Sequence, residues 1–322
     1  MSDLTQSAFF PPTNGGWVKY HGNPVLGGTE IGTCFDVLVF PKYGNKIAPQ
    51  KDSDKSDGYK MYFSWRPKKS LATSISADGI SWSEPKIILE PNFKSGWEDD
   101  INRNAAVEKD GVVHIWYTGF SHNGSYCYIG YAAGTDDDHL VRLGNGPCLV
   151  PEQPWEHRGV MNPCVLWDDG KRVFRMWYSA GETYEPNVIC YAESENGFNW
   201  HKIKSNPILT AVQSNQYEKD RIGGCQVLPY KSGFLIFYIG YEDIHTARIC
   251  AAWSPDGITR WERFKTNPIV SPEKDKWDGD ACYKPGVVYD APNKRWLLWY
   301  NGRLKHDEYI GLVIHEGEEL IL

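Results

Sequence analysis

Short apolar and aromatic runs alternate with clusters of Gly, Asn, Asp and Pro along the whole chain. No apolar stripe of 3.6-residue period is long enough to predict a substantial helix. The runs fall into sets. One set reads Met61-Tyr62-Phe63-Ser64, Ile115-Trp116-Tyr117-Thr118, Met176-Trp177-Tyr178-Ser179, Ile236-Phe237-Tyr238-Ile239 and Leu298-Trp299-Tyr300-Asn301. A second set follows it: Leu71-Ala72-Thr73-Ser74, Tyr128 to Ala132, Val188 to Ala192, Arg248 to Ala252 and Ile310 to Val313. Brief β-branched or aromatic segments bounded by turn residues are strands. After three of the second set comes a turn: Ser76-Ala77-Asp78-Gly79, Ser194-Glu195-Asn196-Gly197 or Ser254-Pro255-Asp256-Gly257. Asp-Gly and Asn-Gly supply the positive φ of a tight hairpin. The Trp that follows (Trp82, Trp200, Trp261) is expected to open a fourth strand and to plug between neighbouring repeats.

Ahead of each pair of runs stands a polar opening. It reads Trp97-Glu98-Asp99-Asp100, Trp155-Glu156, Tyr217-Glu218-Lys219-Asp220 and Trp277-Asp278-Gly279-Asp280, with a weaker copy at Thr29-Glu30. Openings at 97, 155, 217 and 277 recur every 58, 62 and 60 residues, and the longer gap of 68 from position 29 holds a polar insert, Asn45 to Asp57. A period of this size marks a repeat architecture. Four antiparallel strands per unit predict an all-β five-bladed β-propeller in which residues 1–322 form a single domain. The last copy ends after three strands, so the segment around Trp17-Val18-Lys19-Tyr20 is expected to supply its fourth and close the ring.

Composition changes this picture little. The 14 Trp, 19 Tyr and 12 Phe are expected mostly between blades. A net charge of −7 argues against nucleic acid, which needs clustered Lys and Arg. No apolar stretch approaches membrane-spanning length. Met1 to Thr5 carries neither a basic nor an apolar leader region, which predicts a cytoplasmic protein. The eight cysteines have no Cys-x-x-Cys or metal-finger spacing and are expected to be buried free thiols.

In a propeller the first strand of each blade lines the central channel, and side chains from all blades meet at its mouth. Seven residues after each opening stand Asp36, Asn104, Asn162, Gly224 and Lys284, preceded by Phe35, Arg103, Met161, Gly223 and Tyr283. The ends of the second strands add Arg66, Phe120, Glu182, Glu242 and Arg303, with His122 and His245 nearby. Scaffold positions repeat from copy to copy while these axial positions differ. Divergence at equivalent sites suits one asymmetric ligand. A lectin-like propeller would instead keep equivalent sites in every blade.

The Asn-Pro-x-Leu closures (Asn23-Pro24-Val25-Leu26, Asn206-Pro207-Ile208-Leu209), the Ser-x-Asp-Gly-x-x-Trp turns and Asp36 in Thr33-Cys34-Phe35-Asp36 resemble the five-bladed propeller glycosidases, families 43, 62, 32, 68, 117 and 130. The resemblance covers essentially the whole chain. It implies a glycoside hydrolase acting on a small oligosaccharide, exo-acting at the channel mouth, with Asp36 as general base or nucleophile. Two usual carboxylates are absent from their places, which hold Asn162-Pro163 and Gly223-Gly224-Cys225. Glycoside hydrolysis uses two carboxylates, so the acid is expected at Glu182 or Glu242, raised in pKa by nearby aromatics, with Asp100 and Asp220 next. A family in this group uses a His, which keeps His245 and His122 in view. Arg66, Arg103, Asn104, Asn162, Lys284 and Arg303 are expected to grip substrate, and Trp65, Tyr126, Tyr184 and Tyr283 to stack on sugar faces. A phosphorylase, for which the same cations would hold phosphate, and a catalytically silent sugar-binding propeller are the alternatives. No cofactor is expected. A central structural ion fits the resemblance, and no ligand spacing demands one.

Overall fold

The computed structural model describes residues 10–44, 46–47, 56–121, 125–182 and 184–321. Most of the polar insert and His122 lie outside these residues. Among the described residues there is no α-helix, only strands and four three-residue 3-10 turns.

Each repeat forms an antiparallel meander. The first strands are Cys34–Tyr43, Asp100–Lys109, Gly159–Asp168, Arg221–Tyr230 and Ala281–Asp290. Each pairs with a second strand: Tyr59–Trp65, Val112–Phe120, Val173–Gly181, Gly233–Tyr241 and Arg295–Leu304. Third strands follow at Ser70–Ser76, Cys127–Gly134, Pro186–Ser194, Ala247–Ser254 and Asp307–Glu316. Fourth strands are short, Lys86–Leu89, Val141–Arg142, His201–Lys202 and Glu262–Arg263. Against the last third strand lies Trp17–Lys19, with Trp17 opposite His315. The result is an all-β, propeller-like assembly of curled sheets.

The openings are structural. Their acids Glu98, Glu156, Glu218 and Asp278 are buried. Tyr178, Tyr238 and Tyr300 of the second strands donate to Glu156, Glu218 and Asp278 at 2.9, 2.7 and 2.7 Å. A cation from a fourth strand completes each trio: Arg142 on Glu98 at 2.6 Å, Lys202 on Glu156 at 2.8 Å and Arg263 on Glu218 at 2.6 Å. In the last unit the cation is Lys19, from the N-terminal strand, 2.6 Å from Asp278. A buried charge stripped of its partner is costly. Lys19→Ala is therefore expected to destabilise the protein by about 3–5 kcal/mol. Urea unfolding of that variant beside Lys202→Ala would measure it, and two comparable losses are the expected result.

Units are riveted through indole groups. Trp116, Trp177 and Trp299 of the second strands donate to the carbonyls of Gly197, Gly257 and Gly79 in the turn of another unit, at 2.7, 2.7 and 2.9 Å. The turns are side-chain-capped loops rather than two-residue hairpins: Asp78 accepts from the amides of Ile80 and Ser81, both at 2.8 Å, and Ser76 accepts from Gly79 at 2.8 Å. A Cβ on Gly79 would stand 2.8 Å from the Trp299 ring, so the contact needs glycine. The predicted plugs Trp82 and Trp200 pack edge-on against Trp299 and Trp116, with ring centres 6.1 and 6.0 Å apart. All eight cysteines are free and seven are buried.

Candidate functional site

Every first strand breaks register near its start. The bulges fall between Phe35 and Leu38, Asn102 and Ala105, Met161 and Cys164, Gly223 and Cys225, and Tyr283 and Gly286. At each bulge one residue adopts positive φ: Asp36 at 54°, Arg103 at 56°, Asn162 at 51°, Gly224 at 44° and Lys284 at 34°. A bulge re-aims a side chain, and a non-glycine residue in this region is strained unless held. The hold comes from a second-strand side chain of another unit. The amides of Arg103, Asn162 and Gly224 donate to Ser64, Thr118 and Ser179 hydroxyls at 3.0, 3.1 and 2.8 Å, and the Asp36 amide donates to Asn301 Oδ1 at 3.3 Å. Arg103, not Asn104, is thus the equivalent of Asp36. The second copy is one residue shorter between its buried acid and its bulge, which counting from the opening could not reveal. Likewise, counted from the side chains that hold these amides, the strand-end positions equivalent to Arg303 are Arg66, Phe120, Gly181 and Tyr241, so Glu182 and Glu242 lie one residue beyond.

Asp36 is 6 % exposed. Burial pushes its carboxyl above the usual range, against the pull of Arg103, Lys284 and Arg66. Arg103 Nε lies 3.8 Å from its Oδ2, an oxygen that makes no hydrogen bond. The Arg103 guanidinium is fixed by Met161 Sδ and the Tyr184 carbonyl, both at 2.8 Å, and faces the Phe120 ring at 5.3 Å. Buried Lys284 donates to the Cys225 carbonyl at 3.1 Å. The side chains of Asn104 and Asn162 are also buried, and Asn104 Oδ1 and Nδ2 and Asn162 Oδ1 have no hydrogen-bond partner. Buried polar atoms are ordinarily satisfied, so this cluster is built for polar contact.

Two carboxylates absent from the sequence reading complete the mouth. Glu308 is the second residue of the last third strand, and its Oε2 is 3.4 Å from Asn301 Nδ2. Asn301 thereby bridges the Asp36 backbone and the Glu308 carboxyl. Burial, then the negative charge of Asp36, pushes Glu308 up to about 7. Glu185 reaches over from the third unit and accepts from Tyr241 at 2.7 Å. Its carboxyl is raised by burial against the pull of Arg103. In the positions equivalent to Glu308 the other copies have Lys69, Cys127, Pro186 and Ala247. A lone acid among one lysine and three uncharged residues was the available signal.

The acids expected from sequence are placed differently. Glu182 is exposed, so the aromatic desolvation expected for it is missing. Glu242 is buried but lies 2.7 Å from Arg248 and accepts from Gln216 at 2.6 Å. Asp220 is an exposed partner of Arg221 at 2.6 Å. Asp100 is raised by burial and receives Arg66 Nη1 at 3.2 Å. Trp65 donates to the Ile31 carbonyl at 2.8 Å and forms a wall. Tyr126 and Tyr184 are exposed, Tyr184 stacked on Phe120 at 5.7 Å. Buried Tyr283 keeps an unpartnered hydroxyl beside Arg303, whose guanidinium is 5.3 Å from its ring. Arg303 Nη2 donates to the carbonyl of exposed His245 at 2.7 Å.

A cavity of about 810 Å³ lies elsewhere, toward the far ends of the first strands, where Leu38, Val107, Leu166 and Leu228 line it. It touches Lys284 but not Asp36, Glu308 or Glu185. The mouth, where buried Asp36 and the raised Glu308 meet, is the better candidate for chemistry.

Solved structures similar in fold include glycoside hydrolases. One, from work on mannoside phosphorylases of family GH130 that include hydrolases targeting β-1,2 mannosidic linkages in Candida mannan, matches at TM-score 0.70 and 14 % identity over 98 % of each chain. A thermostable family-43 glycoside hydrolase matches at TM-score 0.68 and 16 % identity, over 92 % of this chain and 94 % of that one. Among curated proteins, a β-1,2-mannobiose phosphorylase of Thermoanaerobacter sp. (strain X514) is 28 % identical over 178 residues, 50 % of this chain and 54 % of its own length. An A type blood N-acetyl-α-D-galactosamine deacetylase of Flavonifractor plautii is 21 % identical over 285 residues, 71 % of this chain and 35 % of its own length. The chain thus spans about half or less of the curated relatives it matches. No family model matches it.

Proposed function

We propose that the protein is a carbohydrate-active enzyme, a five-bladed propeller closed by its N-terminal strand, that hydrolyses a glycosidic bond at the end of a small oligosaccharide. Its neighbours in fold are glycoside hydrolases and phosphorylases. The observation that carries the reading is the Asp36–Asn301–Glu308 arrangement, in which Asn301 accepts from the Asp36 backbone amide and faces the Glu308 carboxyl and so brings two acids to one site. Asp36, beside Arg103 and Lys284, acts ionised as base or nucleophile. Glu308, held protonated to about pH 7, donates to the leaving oxygen. Glu308 thus takes the role expected of Glu182 or Glu242. Arg103, Asn162, Lys284 and Tyr283 surround the sugar.

The test is a panel of aryl glycosides and short oligosaccharides incubated with and without phosphate. Release without phosphate is the expected outcome. Release only with phosphate would replace hydrolysis by phosphorolysis, the activity named for the Thermoanaerobacter protein. No release from any substrate would overturn the enzyme reading.

A further inference from the structure

Beside the mouth, between the fourth and fifth units, lies a basin of about 670 Å³ bounded by Arg248, Arg303, Lys274, Lys305, His245 and His306. We propose that this basin is a subsite for an anionic substituent, a carboxylate or a sulfate or phosphate ester, carried by the sugar bound at the mouth. The inference rests on the carbohydrate reading above and adds a substrate class to it.

The distribution of charge makes the case. Elsewhere at the mouth the cations are matched internally. Arg66 is on Asp100 at 3.2 Å, Arg103 is 3.8 Å from Asp36 and Arg221 is 2.6 Å from Asp220. Lys284 is buried on a carbonyl. In the basin, Lys274, Lys305 and Arg303 have no ion-pair partner among the described residues. Arg303 also lies opposite Glu308 and within the field of Glu185 on the mouth side, and the other acids facing the basin are few. Glu242 lies 2.7 Å from Arg248 Nη1, and Asp280 accepts the Lys305 amide at 2.6 Å. Asp243 and Asp307 are exposed neighbours of the two histidines, and Asp243 is engaged with the His245 amide at 2.8 Å.

Two further features point to a ligand. Arg248 is only 8 % exposed, stacks under Phe10 at 4.7 Å and has an Nε with no hydrogen-bond partner. A guanidinium so fixed presents a planar fork suited to carboxylate, sulfate or phosphate oxygens. Arg303 joins basin to mouth, with one face toward Tyr283 at 5.3 Å and its Nη2 on the His245 carbonyl at 2.7 Å. An anionic group on a sugar at the mouth would therefore meet Arg303 first and the lysines beyond.

Equilibrium binding tests this without needing turnover. The probes are matched pairs of uronic-acid and neutral disaccharides, such as cellobiouronic acid and cellobiose, with inorganic phosphate as a separate ligand. The acidic member of at least one pair is expected to bind roughly tenfold tighter, equivalent to about 1.4 kcal/mol. That preference should shrink with added salt and in the double variant Lys274→Ala/Lys305→Ala, whose positions are exposed. Equal binding within every pair, or a preference untouched by the double variant, would overturn the proposal. Phosphate binding as tightly as the acidic sugars, and displacing them, would overturn it in favour of a free anion. Retained acidic preference without turnover of any glycoside would sink the hydrolase reading and leave this subsite standing.

Discussion

Replacing Asp36 with Asn is expected to lower turnover by about 10²–10⁴-fold, the usual worth of a positioned acid–base group, while the protein stays folded. The exchange keeps the shape and the backbone amide that donates to Asn301 Oδ1 at 3.3 Å. It removes a carboxylate whose burial already disfavours its charge. Arg103 loses its carboxylate partner but keeps Met161 Sδ and the Tyr184 carbonyl, both at 2.8 Å. Loss of activity with an unchanged melting temperature would fit the proposed role. Full activity in the variant would remove Asp36 from the mechanism.

Glu308→Gln is the second large effect, and its pattern is more telling than its size. A lost proton donor harms poor leaving groups most. Turnover of alkyl or sugar leaving groups is expected to fall by about 10²–10⁴-fold, and that of dinitrophenyl glycosides, which leave unprotonated, far less. The wild-type profile should decline as pH rises through about 7, where Glu308 loses its proton, and the Gln variant should lack that limb. The sign for stability is the same. The folded protein holds the Glu308 proton to about 7 while the unfolded chain releases it near 4.5. This contribution is therefore complete below about 4.5 and lost as pH rises to about 7. Measuring unfolding across that window separates a titrating donor from a loosening fold. An unaltered alkaline limb in the variant would assign the proton donor to Glu185 or elsewhere.

What was legible in the sequence is what repeats. Trp-Glu openings, Trp-Tyr strands and Asp-Gly turns are scaffold, and their spacing identified the strands. Their purpose was less legible, because the Glu98, Glu156, Glu218 and Asp278 trios depend on cations from short fourth strands that carry little pattern of their own. Asp36 stood out in the sequence because it is the acid among axial positions that differ from copy to copy. Glu308 and Glu185 did not stand out, since these acids enter from a third strand and a loop, away from the first strands and second-strand ends where the repeat points to the channel. Glu182 looked suitable beside Gly181 in sequence, yet it turns outward. One residue of offset sends a side chain to the opposite face of a strand.

The five bulges have a consequence for how such a molecule can change. The backbone at positions 36, 103, 162, 224 and 284 is held from outside: at four of them a neighbouring side chain grips the amide. What projects from that backbone is therefore largely independent of what keeps it in place. Chemistry can be rewritten there one codon at a time, with the frame untouched. The one crowded address is 224, where a Cβ would stand 2.5 Å from Ile239 Cδ1 and the neighbour would have to yield first. A library confined to 36, 103 and 162 would alter what the mouth presents while leaving in place the hydrogen bonds that hold its backbone.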